Sequence, residues 1–516
     1  MSLYWSPAVE LTEEENWLLS HCKKARLFIF LRQHRHELFS DGFQRELAEM
    51  YTDRKAGKQP VAPALLAMVT ILQAALGVSD EDAVEFAVVE RRWQMLLGCL
   101  GQRKAPFSQG ALFNFRQRLI AHDLDRRLLE RTVELARKTG GFSDKALRAA
   151  FDASPLFGAG RVEDTFNLIG HAMREMLRTI SERRGVSMEE AARVAKVPLL
   201  SGSSLKAALD IDWDDPAQKK EALARLLEQV KSLATFLERE LAEELAKPPL
   251  REQWATLQQI LTQDLEPDPK GGGMQIRRGV AKERRISIRD GQMRHGRKSK
   301  STRIDGFKRH LALDVETRLI LAVAITPANR PEGEAAGELL RDVKNQGFAL
   351  SDLHIDRGYL AAEEIEAERM AGTAVHCKAF PLHNRGRFTK ADFILDLKGQ
   401  RITCPAGQST SLAVGSPSRF PASVCRPCPI KEQCTLASGR SVSIHPQEAF
   451  FVELRSRQRT SNGRAELRKR IPVEHGLAAI SRTQGRRARY LGVRKNLFDL
   501  RRHAAVSNLF VAARGA

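Results

Sequence analysis

The N-terminal part of the chain carries a helical pattern of apolar positions. Between Leu11 and about Gly140, apolar side chains recur at three- and four-residue spacing in four segments, 64–76, 83–97, 111–120 and 124–136. That spacing places them on one face of an α-helix. The sequence therefore predicts an all-α domain over residues 1–143.

A different pattern follows. A short apolar run that ends in an acid, residues 146–152, is typical of a buried strand, and a helical stretch then covers residues 164–263. Strand-like runs at 307–315, 319–326, 353–356 and 373–380 are separated by helical runs at 332–346 and 361–371. Strands that alternate with helices predict a mixed or parallel sheet with helices on its faces, an α/β fold.

Positive charge is concentrated in two places. Lysine and arginine total 83 against 63 acidic residues, a net charge of +20, and they cluster at residues 270–309 and 455–502. Clustered arginine is the electrostatic footprint of a nucleic-acid partner. In the second cluster Asp499 is the only acid from 482 to 502, which favours phosphate contact over a merely solvated helix face. The basic residues there are Arg482, Arg486, Arg487, Arg489, Arg494, Lys495, Arg501 and Arg502.

Nothing in the sequence predicts export or a membrane span. Residues 1–20 are acidic and lack an apolar core, and the apolar run 63–77 is too short to cross a bilayer. We therefore expect a cytoplasmic protein without membrane association.

Two aspartates end predicted strands. Asp152 closes the first strand and Asp356 closes the run 353–356, and ligands of such sheets bind beyond the carboxyl ends of strands. Two acids there suit hard divalent cations such as Mg²⁺. Glu474, in a helical stretch that begins near Ser456, supplies a third carboxylate. Taken singly, each acid is equally typical of a turn cap or a solvent-facing side chain.

Eight motifs occur in a fixed order along the chain. They are FDAS (151–154), GRVEDTFNL (160–168), RHGRKS (294–299), DGFKRH (305–310), TPAN (326–329), DRGY (356–359), VEHG (473–476) and YLGVRKN (490–496). In this order and with these long spacers, the chain resembles bacterial insertion-sequence transposases that have a DDE catalytic core and a helical N-terminal domain. The resemblance runs from about residue 10 to the C-terminus.

The resemblance implies a function and a site. It implies that Asp152, Asp356 and Glu474 bind two divalent ions, Mg²⁺ or Mn²⁺, and catalyse DNA cleavage and strand transfer at the element ends. It implies that Arg470, four residues before Glu474, contacts DNA. The partners would be double-stranded DNA at the element ends and at the target, in the bacterial nucleoid, with at least a dimer needed to pair two ends.

The sequence departs from related families at two positions. Those families often carry a tyrosine three residues before the arginine and a lysine seven residues after the glutamate. Here the two positions are Leu467 and Ser481, with Arg482 next to Ser481. The terminal base and phosphate are therefore expected to be handled differently.

The resemblance also implies the domain organisation. We expect an RNase H-like mixed sheet flanked by helices, with an all-α N-terminal domain, a helical insertion and a small Cys-rich insertion. The parts are 1–143 (helical, binding DNA ends), 144–163 (first part of the core), 164–270 (helical insertion), 271–380 (core continued), 381–452 (Cys-rich insertion) and 453–516 (the catalytic glutamate helix and basic tail).

Four of the seven cysteines lie close together in the sequence. They are Cys404, Cys425, Cys428 and Cys434. Four thiolates around a Cys-x-x-Cys pair predict a structural Zn²⁺ site, because four protein ligands leave no open position for catalysis. Unrelated buried or reactive cysteines are the alternative.

Two further DNA contacts are predicted. Alternation along a strand places Lys308 and His310 on one face near the proposed site, where they would hold target phosphates. The helix at 108–119 is a candidate for insertion into a DNA groove, although an amphipathic helix buried in a bundle has the same pattern.

Two other functions fit the same residues. A non-catalytic DNA-binding regulator would have the same basic clusters. A metal-dependent nuclease would use the same carboxylates to activate water without strand transfer.

Overall fold

The structure, a computed structural model, describes residues 3–22, 25–51, 59–139, 146–271, 273–298 and 301–515. The predicted domain boundary at 143/144 and Ser299 of the RHGRKS motif lie outside these residues.

In the described residues of the N-terminal part, the chain forms eight helices. They are α1 (Glu13–His21), α2 (Arg26–Leu38), α3 (Asp41–Ala48), α4 (Pro63–Leu76), α5 (Asp80–Val89), α6 (Arg91–Leu97), α7 (Gln109–Ala121) and α8 (Leu124–Lys138). Capping boxes start α1 at Thr12 and α5 at Ser79, where side chain and backbone satisfy each other's hydrogen bonds. The buried faces of these helices join a continuous core with one side of the sheet, through residues such as Leu321 and Leu353.

A strand and a helical insertion follow. They are β1 (Leu147–Phe157), α9 (Thr165–Arg184), α10 (Met188–Val194), α11 (Leu205–Leu209), α12 (Pro216–Glu240), α13 (Ala242–Leu245) and α14 (Leu250–Asp264), with a 3₁₀ turn at Pro198–Leu200. The helices from α9 to α14 enclose a hydrophobic core of their own, to which α12 contributes Leu226, Leu233 and Leu237.

The remaining strands of the central sheet come next, after a short hairpin. The elements are β2 (Leu265–Pro267), β3 (Met274–Ile276), β4 (Arg294–Arg297), β5 (Arg303–Asp314), β6 (Ile320–Pro327), α15 (Ala336–Asn345), β7 (Leu350–Ile355), α16 (Glu363–Met370) and β8 (Ala374–His376), with 3₁₀ turns at Glu332–Ala335 and Arg357–Tyr359.

The Cys-rich part and the C-terminal helices complete the chain. The elements are β9 (Ile394–Asp396), β10 (Arg401–Thr403), β11 (Ser409–Ser411), β12 (Pro417–Arg419), α17 (Ala422–Cys425), α18 (Lys431–Cys434), β13 (Ser441–Ser443), α19 (Glu448–Arg457), α20 (Ser461–Arg468), α21 (Ile471–Thr483) and α22 (Val493–Gly515), with a 3₁₀ turn at Lys390–Asp392.

The central sheet is mixed, as the sequence predicts. Its strand order is β4-β5-β1-β7-β8, and β6 pairs with β5 beside β4. The β5 pairings with β1, β4 and β6 are antiparallel, whereas β1 with β7 and β7 with β8 are parallel. Helices α21 and α22 cover part of the sheet and share a hydrophobic core with β5. The predicted RNase H-like fold, with its helical N-terminal part and two insertions, is confirmed.

Three predicted boundaries are wrong. The first strand does not end at Asp152 but continues to Phe157, because β5 keeps pairing with it over that length. The run 373–380 is a strand only at Ala374–His376, where β7 is available as a partner. Glu474 does not lie in a helix that begins near Ser456, because the chain forms the separate helices α19, α20 and α21 there.

Among the described residues, no single helix is long and apolar enough to cross a membrane. The helix pair Pro63–Leu76 and Asp80–Val89 meets the length and composition criteria together but is bent by 104°.

Candidate active site and nucleic-acid interface

Strand register places two of the predicted acids side by side. The parallel pairing of β1 with β7 ends at Phe151 and Ile355. Asp152 and Asp356 are the next residues on the two strands, so they occupy neighbouring positions at the point where the pairing stops. Asp152 Oδ1 accepts a 2.8 Å hydrogen bond from the Ala153 amide, and Asp356 Oδ1 accepts one of 2.8 Å from the Arg357 amide. These local bonds restrain both carboxylates at the edge of one cleft.

Helix α21 brings the third acid to the same cleft. Glu474 lies in its first turn, and the buried residues Val473, Leu477 and Ile480 hold the other face of the helix against the sheet. The helix lies close to β5 at Gly476, where an added Cβ would be 2.8 Å from Leu313 Cδ1. The glycine of the VEHG motif is therefore explained by close packing beneath Glu474.

Arg470 links strand β1 to helix α21. Its Nη2 donates a 2.7 Å hydrogen bond to Glu474 Oε1, one helical turn away. Its Nη1 lies 2.8 Å from Asp152 Oδ2, but with an angle too poor for a hydrogen bond, so this contact is an ion pair only. One guanidinium thus neutralises part of the negative charge of both carboxylates.

The pKa of Asp152 is raised by its position in the cleft. Burial is the main reason that the pKa of Asp152 rises from 3.8 to about 6. Arg470 and the Ala153 amide oppose that rise, whereas the charges of Asp356 and Glu474 add to it. A carboxyl group whose proton is held so tightly, beside other acids, is typical of a functional site.

The cleft also contains residues that the sequence analysis missed. It has a volume of about 570 Å³ and is lined by the three acids, Arg470, Lys308 and three further charged residues, Arg297, Lys298 and Glu332. Burial raises the pKa of Glu332, Lys308 lowers it, and Asp356 adds to the rise. Glu332 follows the TPAN motif in a 3₁₀ turn. Asp356 was predicted because it directly follows a strand. Glu332 lies five residues after the end of β6, so the same reasoning could not predict it.

The donor set fits hard divalent cations. Every acidic group in the cleft offers carboxylate oxygen, the ligand that Mg²⁺ and Mn²⁺ prefer. In the described part of the chain, the carboxylate oxygens of Asp152, Asp356 and Glu474 do not all lie within 4.8 Å of one another. The cation between Asp152 and Glu474 here is the guanidinium of Arg470.

The structure separates Lys308 from His310. Lys308 lines the cleft and donates a 2.8 Å hydrogen bond to the carbonyl oxygen of Arg330. His310 is fully buried, 2.6 Å from the Tyr359 hydroxyl and 2.8 Å from Thr326 Oγ1. The predicted DNA contact of His310 is wrong, because the alternation that placed it beside Lys308 could not show that Tyr359 covers it. His310 supports the floor of the site instead.

Part of the C-terminal basic run is exposed near the cleft. The Phe157 amide donates to the Arg486 carbonyl at 2.9 Å, and the Ala488 amide donates to the Phe157 carbonyl at 2.6 Å. These bonds attach the basic loop to the far end of β1, beyond Asp152. The exposed residues of the run are Arg482, Arg486, Arg487, Arg489 and Lys495.

Three other arginines of that run have structural partners. Arg494 donates to Asp125 and, at 2.9 Å, to the Ile120 carbonyl. Arg501 is buried against the same aspartate, and Arg502 is buried against Asp499 at 2.7 Å. The predicted phosphate contacts of Arg501 and Arg502 are therefore wrong, whereas that of Arg494, whose side chain is 35% exposed, stays a prediction. Arg494 and Arg501 join α22 to the N-terminal helices, since Asp125 lies 369 and 376 residues before them in the sequence.

The groove-insertion helix remains a prediction. Ser108 caps α7, and Leu112, Phe115 and Leu119 are buried in the N-terminal core. The opposite face is open to solvent and includes Phe113, which is 55% exposed. The helix is thus a member of the bundle with one free face.

The four clustered cysteines line one small cavity. Burial raises the pKa of the Cys434 thiol, and the charges of the other three cysteines add to that rise. Among the described residues, no three of these cysteine sulfurs lie within 4.8 Å of one another. The fold gathers the cysteines without bringing their sulfurs to zinc-ligating separation.

Three segments match family models of transposases. Residues 280–374 and residues 403–512 match two models that are each described as "Transposase DDE domain". Residues 26–118 match "Transposase domain (DUF772)". Asp356 and Glu474 lie inside the two DDE segments, whereas Asp152 lies between residues 118 and 280, outside all three matches. No match was found among curated proteins or among solved structures.

The matches agree with the fold and with the cleft. Proteins with DDE transposase domains act on DNA and use divalent metal ions, and a mixed sheet that joins acids from distant segments is the framework such chemistry needs. The chain belongs to the DDE transposases, and it is a DNA transposase of an insertion sequence.

Proposed function

We propose that Asp152, Asp356 and Glu474 are the catalytic carboxylates, and that they bind two Mg²⁺ or Mn²⁺ ions for cleavage and strand transfer at the ends of the element. The observation that carries this proposal is the convergence of three chain segments on one cleft. Strand register supplies Asp152 and Asp356, and Arg470 joins Asp152 to Glu474.

The ions, when bound, would activate the attacking oxygen and stabilise the leaving oxygen of a phosphodiester. The residues of the chain prepare the site for them. Asp152 must lose its proton to act as a ligand, so its raised pKa makes binding weaker in acid. Arg470 must give up its two carboxylate partners, and it then becomes available to pair with a DNA phosphate.

DNA contacts extend from the cleft to the basic loop. We infer that Lys308 holds a phosphate near the scissile bond, since it lines the cleft wall. Arg482, Arg486, Arg487, Arg489 and Lys495 would follow the phosphate backbone beyond the end of β1, because all are exposed and four of them precede α22. Two element ends must be joined, so the active form on DNA would be a dimer or larger, acting at the nucleoid.

The four cysteines are proposed as a structural Zn²⁺ site. Cys404, Cys425, Cys428 and Cys434 border one cavity, and a tetrahedral ion would draw them together. The site would stabilise a part of the chain that has only short strands and a small core.

Joining of DNA tests the catalytic proposal. A plasmid that carries the flanking sequences of the gene is incubated with supercoiled target DNA and Mg²⁺, and nicked, excised and joined products are separated on a gel. Asp356→Asn and Glu474→Gln are expected to lose at least about 100-fold in all products, since even outer-shell changes at metal sites cost about 10–100-fold. Glu363→Gln, an exposed acid seven residues after Asp356, is the matched control and should retain full activity.

The pattern of products separates the alternatives. Cleaved but unjoined DNA would identify a nuclease. Undiminished cleavage by Asp356→Asn would remove Asp356 from the mechanism, and binding without any cleavage by the wild type would leave a DNA-binding regulator.

A further inference from the structure

A second cluster of potential metal ligands lies on β7 and β8, beside the carboxylate cleft. Among the described residues, the only set of three or more metal-ligating side chains with all ligand atoms within 4.8 Å of one another is Asp352, His354 and His376. Asp352 and His354 alternate along β7, and His354 is the register partner of His376 on β8. The two strands therefore present all three side chains on one face of the sheet.

His354 has no hydrogen-bond partner for either ring nitrogen. Its side chain is 1% exposed, and both Nδ1 and Nε2 are buried without a donor or acceptor. A buried polar atom without a partner is destabilising, and here one ring has two such atoms.

The other two residues are oriented toward the same point. The rings of His354 and His376 are stacked with centroids 4.5 Å apart and an interplanar angle of 14°. His376 Nε2 lies 2.8 Å from Asp352 Oδ1, while Asp352 Oδ2 accepts a 2.8 Å hydrogen bond from Ser351. A simple histidine–aspartate hydrogen bond explains this pair, but it leaves the nitrogens of His354 unexplained.

We propose that Asp352, His354 and His376 form a second metal site, for a transition-metal ion of the Zn²⁺ class. Two imidazoles and one carboxylate favour such an ion over Mg²⁺, which prefers an all-oxygen shell. Ligand atoms up to 4.8 Å apart reach the usual zinc distances of about 2.0–2.2 Å by small side-chain rotations. The hydrogen bond from Ser351 to Asp352 is the kind of outer contact that orients a ligating carboxylate.

Glu466 lies near the proposed site but is not part of the set whose ligand atoms are within 4.8 Å of one another. It lines the same 330 Å³ cavity as His376, and its charge acts on both imidazoles. It lies on α20, four residues before Arg470, and at present it pairs with Lys469 at 2.7 Å.

Metal binding by the full chain tests this proposal. The protein is stripped with a chelator and titrated with Co²⁺ and then Zn²⁺, while bound ions per chain are counted by elemental analysis after dialysis. The variant His354→Gln is expected to bind one ion fewer, or to bind it at least about 10-fold more weakly. The control is His503→Gln, another buried histidine with an unpartnered ring nitrogen, which should bind as the wild type does.

The spectrum of the Co²⁺ form separates this site from the cysteines. Thiolate ligation gives charge-transfer bands in the near ultraviolet, which His354→Gln should leave unchanged while it removes a visible band of a nitrogen- and oxygen-ligated ion. Asp352→Asn, at a partly exposed position, replaces His354→Gln if the latter does not fold. Equal stoichiometry and affinity in wild type and variant would overturn the proposal. The site is independent of the catalytic proposal, because the double variant Asp152→Asn, Glu474→Gln should keep it.

Discussion

Removing the charge of Asp152 should stabilise the metal-free protein. Burial and the neighbouring acids raise its pKa from 3.8 to about 6, so the folded state holds the proton more tightly than the unfolded state does. Stability is then lost as the pH rises from 3.8 through 6 and is constant above that range. At 1.36 kcal/mol per pKa unit, the ionised carboxylate costs the folded state about 3 kcal/mol at pH 8.

The variant Asp152→Asn mimics the protonated group at every pH. It should therefore exceed the wild type in free energy of unfolding by about 3 kcal/mol at pH 8, and by about half of that at pH 5, where the folded wild type is mostly protonated at this site. The measurement is urea unfolding in the presence of EDTA at the two pH values.

Divalent metal should make the wild type more stable than Asp152→Asn, the reverse of their order in EDTA. At pH 8, saturating Mg²⁺ is expected to stabilise the wild type and to have a much smaller effect on Asp152→Asn, since an ion that binds only the folded state adds stability by mass action. Glu338→Gln is the control, because burial also raises the pKa of Glu338 but the residue does not line the cleft. It should share the pH effect and respond to Mg²⁺ as the wild type does.

Two results would refute this reasoning. If Asp152→Asn were less stable than the wild type at pH 8 in EDTA, the charged form of Asp152 would be the favoured one in the folded state. If the two proteins responded equally to Mg²⁺, Asp152 would not be a ligand.

Three further changes have opposite or distinct expected effects. Arg470→Gln removes the cation that lowers the pKa of Asp152, so the acid limb of the pH–rate profile in Mg²⁺ should move to higher pH. Arg470→Lys keeps the positive charge and should leave the acid limb in place. An unmoved acid limb in Arg470→Gln would contradict the pairing of Arg470 with Asp152. Arg486→Gln should reduce the slope of log binding constant against log salt by about 0.9, the contribution of one phosphate contact, in filter-binding titrations with double-stranded DNA. Arg501→Met leaves the buried Asp125 short of a partner and should cost about 3 kcal/mol of unfolding free energy with no change in the salt slope; a changed slope would mean that Arg501 reaches DNA.

The sequence alone was sufficient for the local features of this protein. Apolar spacing predicted the N-terminal helices and the alternation of strands with helices, because a buried face imposes a period on the residues themselves. An acid directly after an apolar run singled out Asp356. The resemblance singled out Arg470 as a DNA contact, and the structure adds its ion pair with Glu474. The order of the motifs joined these acids to a family.

Features that depend on contacts between distant segments required the tertiary structure. Asp152 lies within a long strand, not at its end, and it meets Asp356 because the parallel register stops there. His310 and Arg501 look like exposed basic residues in the sequence, yet one is covered by Tyr359 and the other is buried against Asp125.

The physical reason is that the sequence gives the charge of a side chain directly but does not give its exposure. Exposure depends on packing against residues that are hundreds of positions away in the sequence. Glu332 and the cluster of Asp352, His354 and His376 have no signature in sequence spacing, because strand pairing and a close turn bring them to their partners. Local pattern thus determined which elements form and which residues carry charge, whereas packing decided which of those charges are buried, paired or exposed.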